Sequence, residues 1–331
     1  MKRIVAATTT LLCLFFVSAQ DAHFSQFHAM PMWLNPAQTG FHNGLVRIGA
    51  IYRNQWLPLA GGPASYQTTG GFIDASLFKQ KLKGDYFGIG AGAYIDRNGT
   101  NLFQTGVASL SFAYSKSFGS RTKHALALGV GAEMLIQNFN KNGAVFSDGV
   151  SENISPNTSV FDGNIGLQYH VVAKKLNGYV GFAYHHLMQS SNKHTVNSTE
   201  RWNSKYVVHA GAQVEVHNKW NVVPVALFMY QNTAWQLNLG AAGQYVFGDR
   251  LTSKNYFSVG LNTRIVGSGL DAIIPNVKLE VYHFSLGLSY DINASLLAKA
   301  TQSYGALEIS LGYVIQPRKK QRAWVAPCPH F

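Results

Sequence analysis

Long apolar runs are missing from this chain. After residue 20 nothing approaches 18 consecutive apolar residues, so helical membrane spans are not expected. Cysteine is nearly absent, with only Cys13 and Cys328. Charged residues make up 13%, about half the usual globular share of roughly 25%. No Gly-x-Ser-x-Gly nucleophile motif and no catalytic carboxylate pair is found, so enzymatic activity is not expected. Basic residues outnumber acidic ones, 27 to 15. They cluster in short turns (Lys79, Lys81 and Lys83; Arg121 and Lys123; Lys174 and Lys175; Arg318 to Arg322) rather than in one patch with interleaved aromatics, which argues against nucleic acid. Solvated turns are the reading for these clusters, with attraction to anionic lipid headgroups as the alternative.

The twelve histidines do not make a metal site. His185 and His186 are adjacent, so on a strand they are expected to point to opposite faces. His209 and His217 share a face but stand far apart. No metal or other cofactor is expected.

The chain begins with Lys2 and Arg3, an apolar stretch Ile4 to Val17, and the small residues of Val17-Ser18-Ala19. This is the pattern of a signal peptide over 1–19, cleaved before Gln20. Cleavage would remove Cys13 and leave Cys328 alone, so no intramolecular disulfide could form.

The abundant features are glycine (32), phenylalanine (20) and tyrosine (16), arranged with a period of two. Leu126, Leu128, Val130, Ala132, Met134 and Ile136 alternate with small or polar residues, Leu135 excepted. Such a strand has one greasy face and one wet or crowded face. The pattern recurs over 45–54, 64–78, 85–97, 103–117, 124–138, 162–173, 178–187, 205–217, 222–231, 235–247, 255–266 and 303–315. Two further strands fall between Asp271 and Asn293, with a tight turn near Val281. Segment 64–78 is weak, with Tyr66, Thr68, Gly70 and Phe72 assigned to the apolar face. Segment 222–231 contains Pro224 and is ambiguous in phase. The total is about 14, and an even count suits an antiparallel transmembrane β-barrel of an outer membrane. With both ends in the periplasm, the two longest connections, Phe139 to Phe161 and Met188 to Ser204, fall outside. The short ones at Gly119–Lys123, Lys174–Asn177 and Asn218–Asn221 fall inside, as such barrels require.

The inward phase carries the charges Arg47, Arg53, Asp96, Glu133, Glu215, Arg264 and Glu308, expected to pair in the lumen or to line a substrate or polypeptide path. It also carries most glycines, expected to relieve crowding and allow curvature. Gly88-Ile-Gly90-Ala-Gly92 lacks a following helix and reads as structural rather than nucleotide-binding. Four regions follow: signal peptide 1–19, an N-terminal segment 20–44 that plugs the lumen or packs beneath it, barrel 45–315, and a basic and aromatic tail 316–331.

Several stretches resemble the PorP/SprF family. They are Phe24-Ser25-Gln26-Phe27 with Asn35-Pro36-Ala37 and Gly40, Tyr52-Arg53-Asn54-Gln55-Trp56, Gly181 to Leu187, Ser289-Tyr290-Asp291-Ile292-Asn293, Gly305 to Leu311, and the ending Cys328-Pro329-His330-Phe331. Each is weak alone; their order along the whole mature chain is specific. His330 departs from the basic arginine common there. The resemblance implies an outer-membrane component of the type IX secretion system of Bacteroidota, tied to gliding motility in some species. It implies two partners: a secreted cargo with a C-terminal signal domain, and a periplasmic peptidoglycan-binding lipoprotein or other secretion machinery. The alternative is a passive channel or small-hydrophobe transporter. Phe24, Phe27, Trp33, Asn35, Pro36, Trp324, Cys328, Pro329 and Phe331 are the candidate partner-binding residues.

Overall fold

The computed structural model describes residues 21–56, 65–79, 81–82, 84–99, 103–119, 122–140, 157–191, 201–248, 255–296 and 298–316. The expected leader and the tail bearing Trp324, Cys328, Pro329 and Phe331 lie outside them. Fourteen strands are described: β1 Val46–Gln55, β2 Tyr66–Leu77, β3 Tyr86–Asn98, β4 Phe103–Phe118, β5 Lys123–Phe139, β6 Asn157–Val172, β7 Leu176–His185, β8 Lys205–His217, β9 Trp220–Gln231, β10 Ala234–Phe247, β11 Asn255–Val266, β12 Gly269–Val281, β13 Phe284–Asn293 and β14 Tyr304–Ile315. Each pairs with its sequence neighbours, and β1 pairs antiparallel with β14 to close the barrel. Closure leaves no sheet edge, as a spanning sheet must in hydrocarbon.

We call the end where β1 begins and β14 finishes the terminal end, and the opposite one the loop end. The connections after β5 and β7 both lie at the loop end.

The period of two becomes a lipid face and a lumen face. Along β4, Leu110, Phe112 and Tyr114 are exposed while Ser109, Ser111 and Ser115 are buried. The only charges on the outward phase of the described strands are Arg97 and Lys116, both at strand ends. Aromatic belts mark the two interfaces. Tyr184, Tyr206 and Tyr230 form a row at the loop end; Trp220 and Tyr245 meet at the terminal end, as do Phe87 and Tyr114. Trp220 and Tyr230 are ten residues apart on β9. At ~3.3 Å per residue and a tilt of roughly 40° this is about 25 Å along the axis, the height of a barrel's apolar band.

Two strands differ from their sequence reading. In β2, Phe72 and Thr68 point inward and Ile73 and Leu77 outward; the lumen accepts Phe72 because the N-terminal segment supplies it an apolar partner in Met30 and Met32. In β9 the phase is hidden because both faces are apolar. Val223 and Leu227 are buried inside, and Val225 and Met229 pack on the same interior cluster. Pro224 cannot donate to β8, and that ladder passes from Gly211–Val225 to Val214–Val222.

Candidate functional site: an interior segment latched to the wall

Residues 21–44 run through the lumen. Asp21 sits at the loop end beside Lys205 and Gln231. The segment leaves at the terminal end, where Leu45 N–H donates to Ile315 C=O. Between them lie three short helical turns, Phe27–Ala29, Pro31–Leu34 and Pro36–Gln38. Proline starts two of them, its fixed φ suiting a first helical position. The Asn35 side chain caps the third by accepting from Ala37 N–H at 2.8 Å.

The inward glycines have a more specific role than curvature. A Cβ at Gly129 would overlap the backbone of Pro36 and Ala37, one at Gly88 the carbonyl of Thr39, and one at Gly166 the Asn35 side chain. They form a groove into which the segment's main chain sinks. Asn35 spans it, its amide donating to the carbonyls of Leu167 (3.1 Å) and Phe182 (3.3 Å) and lying 3.0 Å from His209 Nε2.

The strongest attachment lies between β1, β11, β13 and β14. Arg53 Nη1 donates to Glu308 Oε1 at 2.5 Å, and its Nη2 to Asp291 Oδ2 at 3.2 Å. Arg264 Nη1 stands 2.9 Å from the same Asp291 oxygen, and its Nε donates to Asp271 Oδ2 at 2.6 Å. Glu308 accepts two consecutive main-chain N–H groups, from Ser25 (2.7 Å) and Gln26 (2.8 Å). Ser25 Oγ donates to Asp291 (2.7 Å to Oδ1) and accepts from Arg53 and Arg264. Arg53, Arg264, Asp291 and Glu308 are all at most 5% exposed. Charges so far from water need every partner they have. A local irregularity aims Asp291: the β13–β14 register shifts between Tyr290 and Ile292, and β12–β13 pairing passes from Ile273–Ile292 to Asn276–Ser289, skipping Pro275.

Each end has its own clamp. At the terminal end Asp74 accepts from Gly40 N–H (2.7 Å) and Arg47 (2.9 and 2.8 Å). At the loop end Asp21 Oδ2 accepts from Lys205 (2.5 Å) and lies 3.0 Å from His186 Nε2; Asp162 lies 3.6 Å from the other ring nitrogen. Burial pushes the His186 imidazole down, but Asp21 and Asp162 outweigh it and raise it to about 10. Burial also opposes ionisation of Asp21, yet Lys205 and His186 hold its carboxyl well below 3.8. The His186 contribution is therefore complete below its ordinary 6.5 and lost as pH rises through about 10. That of Asp21 is present above 3.8 and lost as pH falls through its depressed value. Trp202, with ring centroid 5.7 Å from His186, reports this. With the other tryptophans replaced by phenylalanine, quenching by the imidazolium is expected to persist past neutrality and lift only near pH 10. Lifting near 6.5 would show that the clamp is not formed.

Most of the candidate residues meet here. Phe24 and Trp33 stand edge-on to Tyr94. Phe27 packs with Leu34, Ala183, Val207 and Leu227. Asn35 and Pro36 fill the groove. Arg53, Arg264 and Glu308 form the latch, Arg47 the terminal clamp. Glu133 accepts from Asn164 (2.7 Å) and Asp96 from Thr68 (2.6 Å). Glu215 does not join them: it is exposed at the terminal rim of β8, where the register shifts before His217. Both His185 and His186 are buried on the inside. The strand stops at His185, and the left-handed backbone of His186 (φ 60°) turns its ring back over the lumen. Asp74, Asp271 and Asp291 were not among the inward charges read from sequence, because β2 was phased weakly and Asp291 lies on an irregular strand. The family-like motifs were the available signal. Ser25-Gln26, Arg53, Asp291 and Glu308 each come from a different one, and all meet at the latch.

A closed barrel with a bare apolar belt and an N-terminal segment latched through its lumen is an outer-membrane protein of the occupied-barrel kind. The chain belongs to the PorP/SprF family of type IX secretion system membrane proteins, whose model matches residues 16–313. No curated protein matches it. Among solved structures it is similar to the toluene transporter TbuX of Ralstonia pickettii, at 8% identity and TM-score 0.47 over 86% of this chain and 92% of that one. It is also similar to a FadL homologue of Pseudomonas aeruginosa, at 9% identity and TM-score 0.43 over 84% and 92%. CdiB of Acinetobacter baumannii shares 8% identity at TM-score 0.45, over 81% of this chain; the chain spans 60% of the CdiB length. Likenesses this distant carry no argument about function.

Proposed function

We propose that this barrel is a non-enzymatic accessory of type IX secretion that assists export or surface attachment of particular secreted proteins, of the adhesin type used in gliding. In this reading the signal peptide is removed near Ala19, the terminal end faces the periplasm and docks a peptidoglycan-binding lipoprotein or other machinery, and the cargo carries a C-terminal signal domain. The observation that carries the reading is the family match across 16–313, joined to a lumen threaded by a segment that buried charges hold in place, which favours a binding role over a standing open pore. Deleting the gene and comparing surface proteomes tests it. Loss of one or a few exported proteins, with solute uptake unchanged, is expected. Impaired solute uptake with normal export would overturn it.

A further inference from the structure

The latch grips residues 24–27 in a way that does not depend on their being joined to β1. Glu308 takes two successive main-chain N–H groups of the turn Ser25-Gln26 that leads into the helical turn Phe27–Ala29, as a carboxylate takes the free N–H groups at the start of any such turn. Specificity is layered over this. The serine hydroxyl sits between Asp291 and the two guanidinium groups. The glutamine amide is read from both sides, its Nε2 donating to Ser289 Oγ (3.1 Å) and to Glu308 C=O (3.2 Å), while Ser310 Oγ donates to its Oε1 at 2.7 Å. A Cβ at Gly287 would overlap that amide oxygen, so the wall is recessed for it. Phe24 and Phe27 enter separate apolar niches on either side, one walled by Ile51 and Phe72 with Met30 and Met32 of the segment, the other by Ala183, Val207 and Leu227 with Leu34 of the segment. Main-chain N–H groups held by the wall, with separate niches for the side chains, divide affinity from specificity as in peptide recognition generally.

We propose that the latch is a peptide-recognition site occupied in cis by Phe24-Ser25-Gln26-Phe27, which takes in trans a partner polypeptide bearing an aromatic–hydroxyl–amide–aromatic segment. The cis segment is tethered close by and so acts as a local competitor at an effective concentration on the order of mM. The trans ligand binds when the cis segment is weakened or withdrawn. Only the partner's origin as exported cargo rests on the function proposed above; the binding itself is independent of export.

The test uses the full chain in detergent micelles and a fluorescent synthetic peptide of residues 22–29. Two variants free the site differently. Ser25→Ala with Gln26→Ala weakens the cis ligand, and Gly129→Val displaces Pro36 and Ala37 while leaving every latch residue intact. Folding of each barrel is checked by its heat-dependent gel mobility. Saturable binding to either variant is expected, at least tenfold tighter than to the wild type, where the cis segment competes. The peptide with both its serine and glutamine replaced by alanine should bind at least tenfold more weakly, and adding Glu308→Gln to the binding variant should do the same. Absence of saturable binding to both folded variants, or binding indifferent to Glu308 and to the peptide changes, would overturn the proposal.

Discussion

Replacing Glu308 by alanine is expected to free the N-terminal half of the interior segment. The carboxylate is fully buried and holds three groups at once: the Arg53 guanidinium and the N–H groups of Ser25 and Gln26. Its loss leaves Arg53 buried with Asp291 already shared with Arg264. Breaking a buried pair from one side typically costs about 3–5 kcal/mol, and two unmet buried N–H groups add roughly 1–3 kcal/mol each. The pair joins β1 to β14, so the seam bears part of this cost, but the ladder hydrogen bonds that close the barrel do not involve either side chain. The expected outcome is a barrel that keeps its heat-dependent gel mobility but conducts ions in planar bilayers at least tenfold better than the wild type. Glu308→Gln should lie between them, since one amide oxygen can still accept from Ser25. A closed, non-conducting Glu308→Ala barrel would show that the latch does not hold the segment.

The second large effect is expected from the opposite side of the segment. Gly129→Val places its side chain where the main chain of Pro36 and Ala37 now runs. Neither neighbour can yield easily, because Asn35 is bonded to the wall at Leu167 and Phe182. Overpacking against backbone costs about 1–3 kcal/mol even where relief is available. Valine itself suits a strand, so β5 should form normally. Disulfide trapping distinguishes the outcomes: a cysteine pair at Thr39 and Ser111, whose hydroxyl oxygens lie 2.6 Å apart, should cross-link readily in the parent and poorly with valine at 129. Unchanged cross-linking would mean the segment does not lie in the glycine groove.

The wall of this barrel was far easier to read from sequence than its contents. β5 is legible because Leu126 to Ile136 faces lipid, which accepts only apolar side chains, while its partners face a crowded interior. Leu135 broke the alternation for a reason invisible in the strand alone: it packs against Tyr94 and Val107 beneath Trp33. β9 was unreadable in phase for the same cause, since Leu34 and Phe27 make an apolar interior surface where water was assumed. Arg53, Arg264 and Glu308 could be placed in the lumen by parity. Their convergence could not be seen, because it depends on barrel closure and on the irregular turn of strand that aims Asp291. Glu215 has the right parity but sits at the exposed terminal rim, just before the register shifts.

The hydrogen bond from Ser25 to Glu308 joins residues 283 positions apart. Its acceptor sits on the last strand to be synthesised, and its donor lies ahead of the first strand. The latch can therefore close on residues 25 and 26 only once β14 has been made and brought back beside β1. A product truncated before β14 would lack both the seam and the carboxylate that grips its beginning. In this barrel, closing the latch amounts to an inspection that every strand through β14 is in place.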